Sequence, residues 1–133
     1  MRKYGRPVIG DIYIAMDNGP VPSRVYDIVK GKLDFFGDAA AINAALRIDR
    51  TNKFPQLYST REPDTEPFSE TDMASLLDAI VFCQGKNFAD LSTLTHNEEA
   101  WFSAPRDGEM SLELLVPEDQ REDVRVAAAY VVL

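Results

Sequence analysis

The sequence has one cysteine, Cys83, and one histidine, His96, in 133 residues. A single cysteine closes no intrachain disulfide, so a reducing cytoplasm is the expected compartment. A zinc site would have to draw on His96, Cys83 and carboxylates, and no ligand spacing suggests one, so neither metal nor cofactor is expected. The Gly-x-Ser-x-Gly elbow, the Gly-x-x-x-x-Gly-Lys loop and the Gly-x-Gly-x-x-Gly fingerprint are all missing. The acid-rich stretches 62–70 and 118–122 lack the spaced ligands of an EF-hand loop. Cys83 falls in the apolar stretch of a helix, where burial is expected to leave a thiol inert. No apolar core follows the N-terminal charges of residues 1–7, so no signal peptide is expected there. The longest apolar run, 126–133, is far too short to span a bilayer. Positive charge is also scarce, with 14 basic against 22 acidic residues and a net charge of −8. That balance disfavours a nucleic-acid surface and an anionic membrane, and it favours a basic partner. These absences point away from an enzyme and toward a chain that acts by binding another protein.

What is present suits one globular domain over residues 1–133, with 45% hydrophobic and 27% charged residues. Residues 1–11 read as an irregular lead-in. Residues 12–16 fit either a strand or a helical turn, and Asp17-Asn18-Gly19-Pro20 breaks whatever precedes it. A helix is expected from about Pro22 to Lys30, capped by Ser23 and ended by Gly31, with Val21, Val25, Ile28 and Val29 on its core face. Asp38 is placed to cap a short alanine-rich helix. Residues 46–50 and 56–60 alternate as a hairpin. Ser69-Glu70-Thr71-Asp72 opens the clearest helix as a capping box, and Met73, Leu76, Leu77, Ile80 and Val81 form its apolar stripe. Asn87 starts another helix, and Thr95 to Glu98 reads as a third start signal. Residues 110–116 fit a strand or a bent helical piece, and Pro117 opens a last helix whose apolar end reads as core. The fold class is therefore α+β and mainly α-helical, a compact helical domain with one small β-hairpin.

Several single residues invite a role. Gly5, Pro7, Gly10, Gly19, Pro20, Pro22 and Tyr26 read as a structural motif that shapes the lead-in and launches the first helix. Arg6 and Asp11 fit an ion pair or local caps, and Tyr13 a near-core aromatic. His96 fits either a ring bonded to local backbone or a partner contact, and Trp101 either a core plug or an interface anchor.

Two segments taken together resemble a known family. The first runs Tyr4-Gly5-Arg6-Pro7-Val8-Ile9-Gly10-Asp11-Ile12-Tyr13-Ile14-Ala15-Met16, followed by Gly19-Pro20-Val21-Pro22-Ser23 and Tyr26. The second is Leu91-Ser92-Thr93-Leu94-Thr95-His96-Asn97-Glu98 with Ala100-Trp101. In order and distance they are similar to the Panacea domain, the SocA-like family of bacterial and phage antitoxins, over about residues 4–102, with a loose fit over 110–125. The resemblance implies a mainly helical antitoxin that binds and neutralises a cognate toxin protein encoded beside it. One branch of the family is a proteolytic adaptor that delivers its toxin to a ClpXP-type protease, and both modes stay open. On this reading Arg6, Asp11, Tyr13, His96 and Trp101 are the candidate partner-binding residues. The family usually has an apolar helix ahead of the Tyr-Gly-Arg-Pro element, and the sequence as given begins three residues before Tyr4, which fits an internal start, a trimmed chain or a groove covered by another surface. That departure leads to the expectation of an apolar patch covered by a second copy, as a homo-oligomer, or by a partner. The alternatives are a DNA-binding autoregulator of its operon, a phage-encoded interaction module and an unrecognised enzyme built around His96. The best local basic cluster for DNA, Arg47, Arg50, Lys53 and Arg61, lies around the hairpin, with no helix-turn-helix in view.

Overall fold

The computed structural model describes residues 6–33 and 37–131, the last five of these as backbone alone. Gly5 and the side chains of residues 127–133 therefore lie outside the described residues, while Val126, at the start of the apolar run expected as core, is 48% exposed. Strands β1 (Tyr13–Met16) and β2 (Gly19–Pro22) pair antiparallel, with Tyr13 opposite Pro22 and Met16 opposite Gly19. Residues 12–16 thus resolve as a strand, and the fold carries a second hairpin beyond the one expected. The two prolines conceal it in the sequence, because proline donates nothing to a ladder. They are tolerated because they face Tyr13 and Ala15, whose polar groups point to the other edge of β1. There the Ala15 amide donates to the Gly108 carbonyl (2.9 Å), Asp107 donates to the Ala15 carbonyl (2.9 Å) and Met110 to the Tyr13 carbonyl (2.8 Å). The segment around Glu109 thus lies on β1 like a third strand, and Asp107 turns into it with φ of 56°.

Small residues make that approach possible. Ala15, Ala100 and Met110 are buried together, with Tyr13, Trp101, Ala104, Leu114 and Leu115 packed around them. Residues 110–116 serve both expected roles: Met110 pairs with β1, and Leu112–Leu115 form a 3-10 turn. Helix α6 (Arg121–Val131) packs on that turn, with Val116 and Val124 buried. Arg121 pairs with Glu99 at 2.7 Å and Arg125 with Glu113 at 3.0 Å. Pro117 takes the capping position of a short 3-10 turn, Glu118–Gln120, that leads into α6.

Helix α1 (Ser23–Lys30) starts and stops almost where expected, ending at Gly31 with φ of 78°. Its cap is different. Pro22 holds the N-cap position, and Ser23 is the first helical residue. The capping oxygen comes from Asp11, twelve residues upstream, which accepts from the Arg24 amide (2.9 Å), the Val25 amide (3.4 Å) and the Ser23 hydroxyl (3.2 Å). Helix α2 (Ala39–Ala45) runs into hairpin β3 (Leu46–Asp49) and β4 (Gln56–Ser59), where Leu46 faces Ser59 as the alternation predicts. Asp38 makes no side-chain cap bond there.

Helices α3 (Glu70–Cys83), α4 (Phe88–His96) and α5 (Glu99–Phe102) follow. The Ser69 and Asp72 box forms in full, and Asn87 with Asp90 builds a second box on α4. The expected third start at Thr95 does not form. Thr95 remains inside α4, its hydroxyl donates back to the Ser92 carbonyl at 3.0 Å, and Glu98 takes the cap position of α5. No helix among the described residues is long and apolar enough to cross a membrane.

Candidate functional site

Helix α3 carries the largest difference between expectation and structure. Its stripe reads as a core face, yet Leu77, Ile80 and Val81 are 58%, 57% and 65% exposed, and Phe82 is 56% exposed. Met73 and Leu76, nearer the anchored end, are only half-buried. Cys83, expected to be buried, is exposed as well. The 3.6-residue period is real and sets an apolar arc along the helix. It reports that this face requires cover and not what covers it. Among the described residues, α3 makes at most slight contact with any other helix or strand. A run of exposed aliphatic and aromatic side chains this dense marks an interaction surface rather than scattered surface apolarity.

Further apolar side chains are exposed beyond α3 in the chain. Phe88, in the first turn of α4, is 62% exposed. It stacks with Phe54 of the β3–β4 loop, ring centroids 6.4 Å apart. Phe54 is 67% exposed, and Leu57 and Tyr58 on β4 are exposed too.

The lead-in holds the start of α3 in place. Arg6 pairs with Asp72 at 2.6 Å and donates to the Ser69 and Thr71 hydroxyls at 3.2 Å each. The guanidinium, with help from the Ser69 hydroxyl and amide, holds the Asp72 carboxyl down at about 2. Asp72 is the one buried charged residue found among the described residues. The first turn of α3 is thus tied down, and the exposed half extends beyond it.

The other candidate residues also have places in the chain. Asp11 caps α1, as described. Tyr13 packs against the small core, and burial, then the nearby Asp11 charge, raises its hydroxyl above the ordinary tyrosine value. Trp101 is half-buried at that core and donates its indole N–H to the Met16 carbonyl at 3.1 Å. His96 lies flat on the Trp101 ring, centroids 3.8 Å apart and planes 19° apart, with Nε2 3.5 Å from the Ser92 hydroxyl. The structure therefore brings Tyr13 and Trp101 to one core and His96 onto Trp101. Arg6 lies apart from that group, at the foot of α3. Of the structural-motif residues, Gly19 has φ of 126°, and a Cβ there would sit 2.8 Å from the Thr95 Oγ1. That close approach joins the first hairpin to α4. Pro20 and Pro22 lie on β2, Pro7 and Gly10 lie in the lead-in, and Tyr26 lies half-buried on α1 beneath Lys30.

The basic cluster near the second hairpin is largely engaged at home. Arg47 stacks on Tyr58 (4.3 Å), Arg50 donates to the Val29 carbonyl (2.5 Å) and Lys53 lies over Phe54 (5.5 Å). A cavity of about 210 Å³ opens between α1, α2 and β3, lined by Ile28, Leu33, Ile42, Leu46, Ile48 and Arg50 among others. No group of three or more metal-ligating side chains occurs among the described residues.

What sequence reasoning misses is the role of α3 as an outward surface. The available signal was the apolar stripe continuing through Phe82 and Phe88 within a strongly acidic stretch.

No curated protein and no solved structure matches the chain. The family description "Antitoxin SocA-like, Panacea domain" matches residues 1–102. Those residues include the Arg6 brace, the Asp11 cap, the exposed α3 and the stacked His96 and Trp101. The core is completed from beyond the match, by Met110, Leu114 and Leu115. The chain belongs to the SocA-like antitoxin family of Panacea domains.

Proposed function

We propose that this chain is an antitoxin that binds a cognate toxin protein in the cytoplasm and neutralises it by association, without chemistry of its own. The observation that carries this reading is the exposed apolar half of α3, presented from an anchored first turn in a chain of an antitoxin family. Apolar surface on this scale gains most by being covered, and a protein partner covers it. Residues 1–133 act as one domain in this reading, since the core joins Ala15 and Ala100 to Met110. Neutralisation proceeds either by blocking the toxin directly or by delivering it to a ClpXP-type protease. Arg6, Asp11, Tyr13, His96 and Trp101 belong to the same proposal as partner contacts. Of these, His96 is the informative one to replace, because among the described residues its one hydrogen bond is the long one to Ser92.

The test is co-expression with the product of the adjacent gene. That product alone should arrest growth, and growth should return, with a stoichiometric co-purified complex, when this chain is supplied. Toxin levels that fall only when the protease is present assign the adaptor mode, and unchanged levels assign direct blocking. If the two products never co-purify and growth never recovers, the reading fails.

A further inference from the structure

We infer that the exposed face of α3, centred on Leu77, Ile80 and Val81, is the docking surface for the toxin, and that the toxin segment it takes is an apolar helix or strand flanked by lysines or arginines. The inference rests on the antitoxin reading above and adds to it the surface used and the chemistry of what binds there. The apolar part follows from exposure, since all three side chains are more than half open to solvent. The face lies one to three turns beyond the Arg6 brace, so it is presented on a helix whose first turn is held and whose geometry is set before binding.

The charge of the partner follows from what surrounds that face. Residues 62–90 carry seven carboxylates and one lysine, Lys86. Lys86 holds its ammonium at the Phe82 end of the helix, against the Phe82 carbonyl and over the Phe82 ring, so the balance of the stretch stays strongly acidic. Of the seven, Asp72 pairs with Arg6, Asp90 accepts from the Asn87 amide and Asp78 is engaged within the chain. Glu62, Asp64, Glu66 and Glu70 are exposed, with Glu70 in the first turn of α3 itself. A second copy would bring an equally acidic rim against this one, and the whole chain carries −8. A partner with a basic rim turns that repulsion into attraction and speeds encounter. Charge complementarity therefore favours a different, basic protein over a second copy.

The test compares the unmodified chain with the triple variant L77S/I80S/V81S, co-expressed and co-purified with the adjacent gene product. The three positions are exposed, so the variant should keep the far-UV circular dichroism and melting profile of the parent. A second variant with a single charge on the same face, I80D, keeps the question open to an answer if the first melts early. The inference expects the parent to rescue growth and bind, the triple variant to lose at least about tenfold in affinity, and parent affinity to fall as salt rises from about 0.05 to about 0.5 M. A folded triple variant that rescues and binds like the parent overturns the inference while leaving the antitoxin reading intact. So does an early-melting triple variant paired with a folded I80D variant that binds like the parent, or parent affinity that is indifferent to salt. A parent that sediments as a dimer which the triple variant dissociates also overturns it, because the occupant is then a second copy. A parent that neither rescues nor binds removes the antitoxin reading itself.

Discussion

Asp11 gives the sharpest test of the local structure, because the nearby serine competes for the same role in the sequence. Ser23 sits where a side-chain cap of α1 is expected, yet the capping oxygens belong to Asp11. Replacing Asp11 with Ala removes acceptors for the Ile12 amide (2.8 Å), the Arg24 amide (2.9 Å), the Val25 amide (3.4 Å) and the Ser23 hydroxyl (3.2 Å). Loss of a cap costs about 0.5–2 kcal/mol, and an ionised acceptor at the positive end of a helix puts this one near the upper end, about 1.5–2 kcal/mol. Water reaches the half-exposed site and limits the loss to that range. Unfolding entropy of about 2.1 cal/mol/K per residue makes each kcal/mol worth about 3–4 °C here, so Asp11→Ala should melt about 5–7 °C below the parent. Asp11→Asn keeps an oxygen but not the charge and should fall between the two. Ser23→Ala deletes one donor to Asp11 and should cost under about 0.5 kcal/mol, or about 2 °C. Thermal and urea melts of the three variants, followed by circular dichroism, make the comparison. A Ser23→Ala loss equal to or larger than that of Asp11→Ala would refute the assignment.

Other outcomes follow from the same geometry. Trp101→Phe keeps the ring under His96 but removes the N–H to Met16, and should cost about 1 kcal/mol in a urea melt. Gly19→Ala forces φ of 126° on an alanine and presses its Cβ toward the Thr95 Oγ1, so it should cost about 1–3 kcal/mol, and adding Thr95→Ala should recover only the contact part. The Asp72 carboxyl sits near 2 when folded, below its ordinary 3.8, so its contribution is complete above about pH 4 and is lost as pH falls through about 2. The stability difference between the parent and Arg6→Ala should therefore be flat from neutral pH to about pH 5 and shrink below about pH 4, whereas a difference that grows on acidification contradicts the brace. Exposed Cys83 should react with iodoacetamide in the native chain at a rate close to that of the urea-unfolded chain, and slow protection factors would place it in a core.

The parts of the fold legible in the sequence are those decided within a few residues. The capping boxes of α3 and α4 need only Ser69 with Asp72 and Asn87 with Asp90, and the hairpin β3–β4 needs only its alternation. What escaped depends on distant groups. The β1–β2 hairpin is hidden by Pro20 and Pro22, which are permitted only because β1 spends its outward-facing groups on residues 107–110. The α1 cap comes from Asp11, which no local motif connects to it. Thr95 carries a start signal that its own helix overrides by bonding the hydroxyl to Ser92. The apolar stripe of α3 was legible, but periodicity is the same whether a face meets the core of its own chain or another protein. Of the candidate contacts, Trp101 packs at the core and stacks on His96.

Hydrogen exchange on the chain, alone and with a stoichiometric amount of the adjacent gene product, tests the central claim most directly. Binding through the exposed helix predicts fast exchange at residues 77–84 in the isolated chain and strong protection there in the complex, with the amides of β1 and residues 107–110 slow in both. An unchanged α3, with new protection confined to other elements or absent altogether, would contradict it.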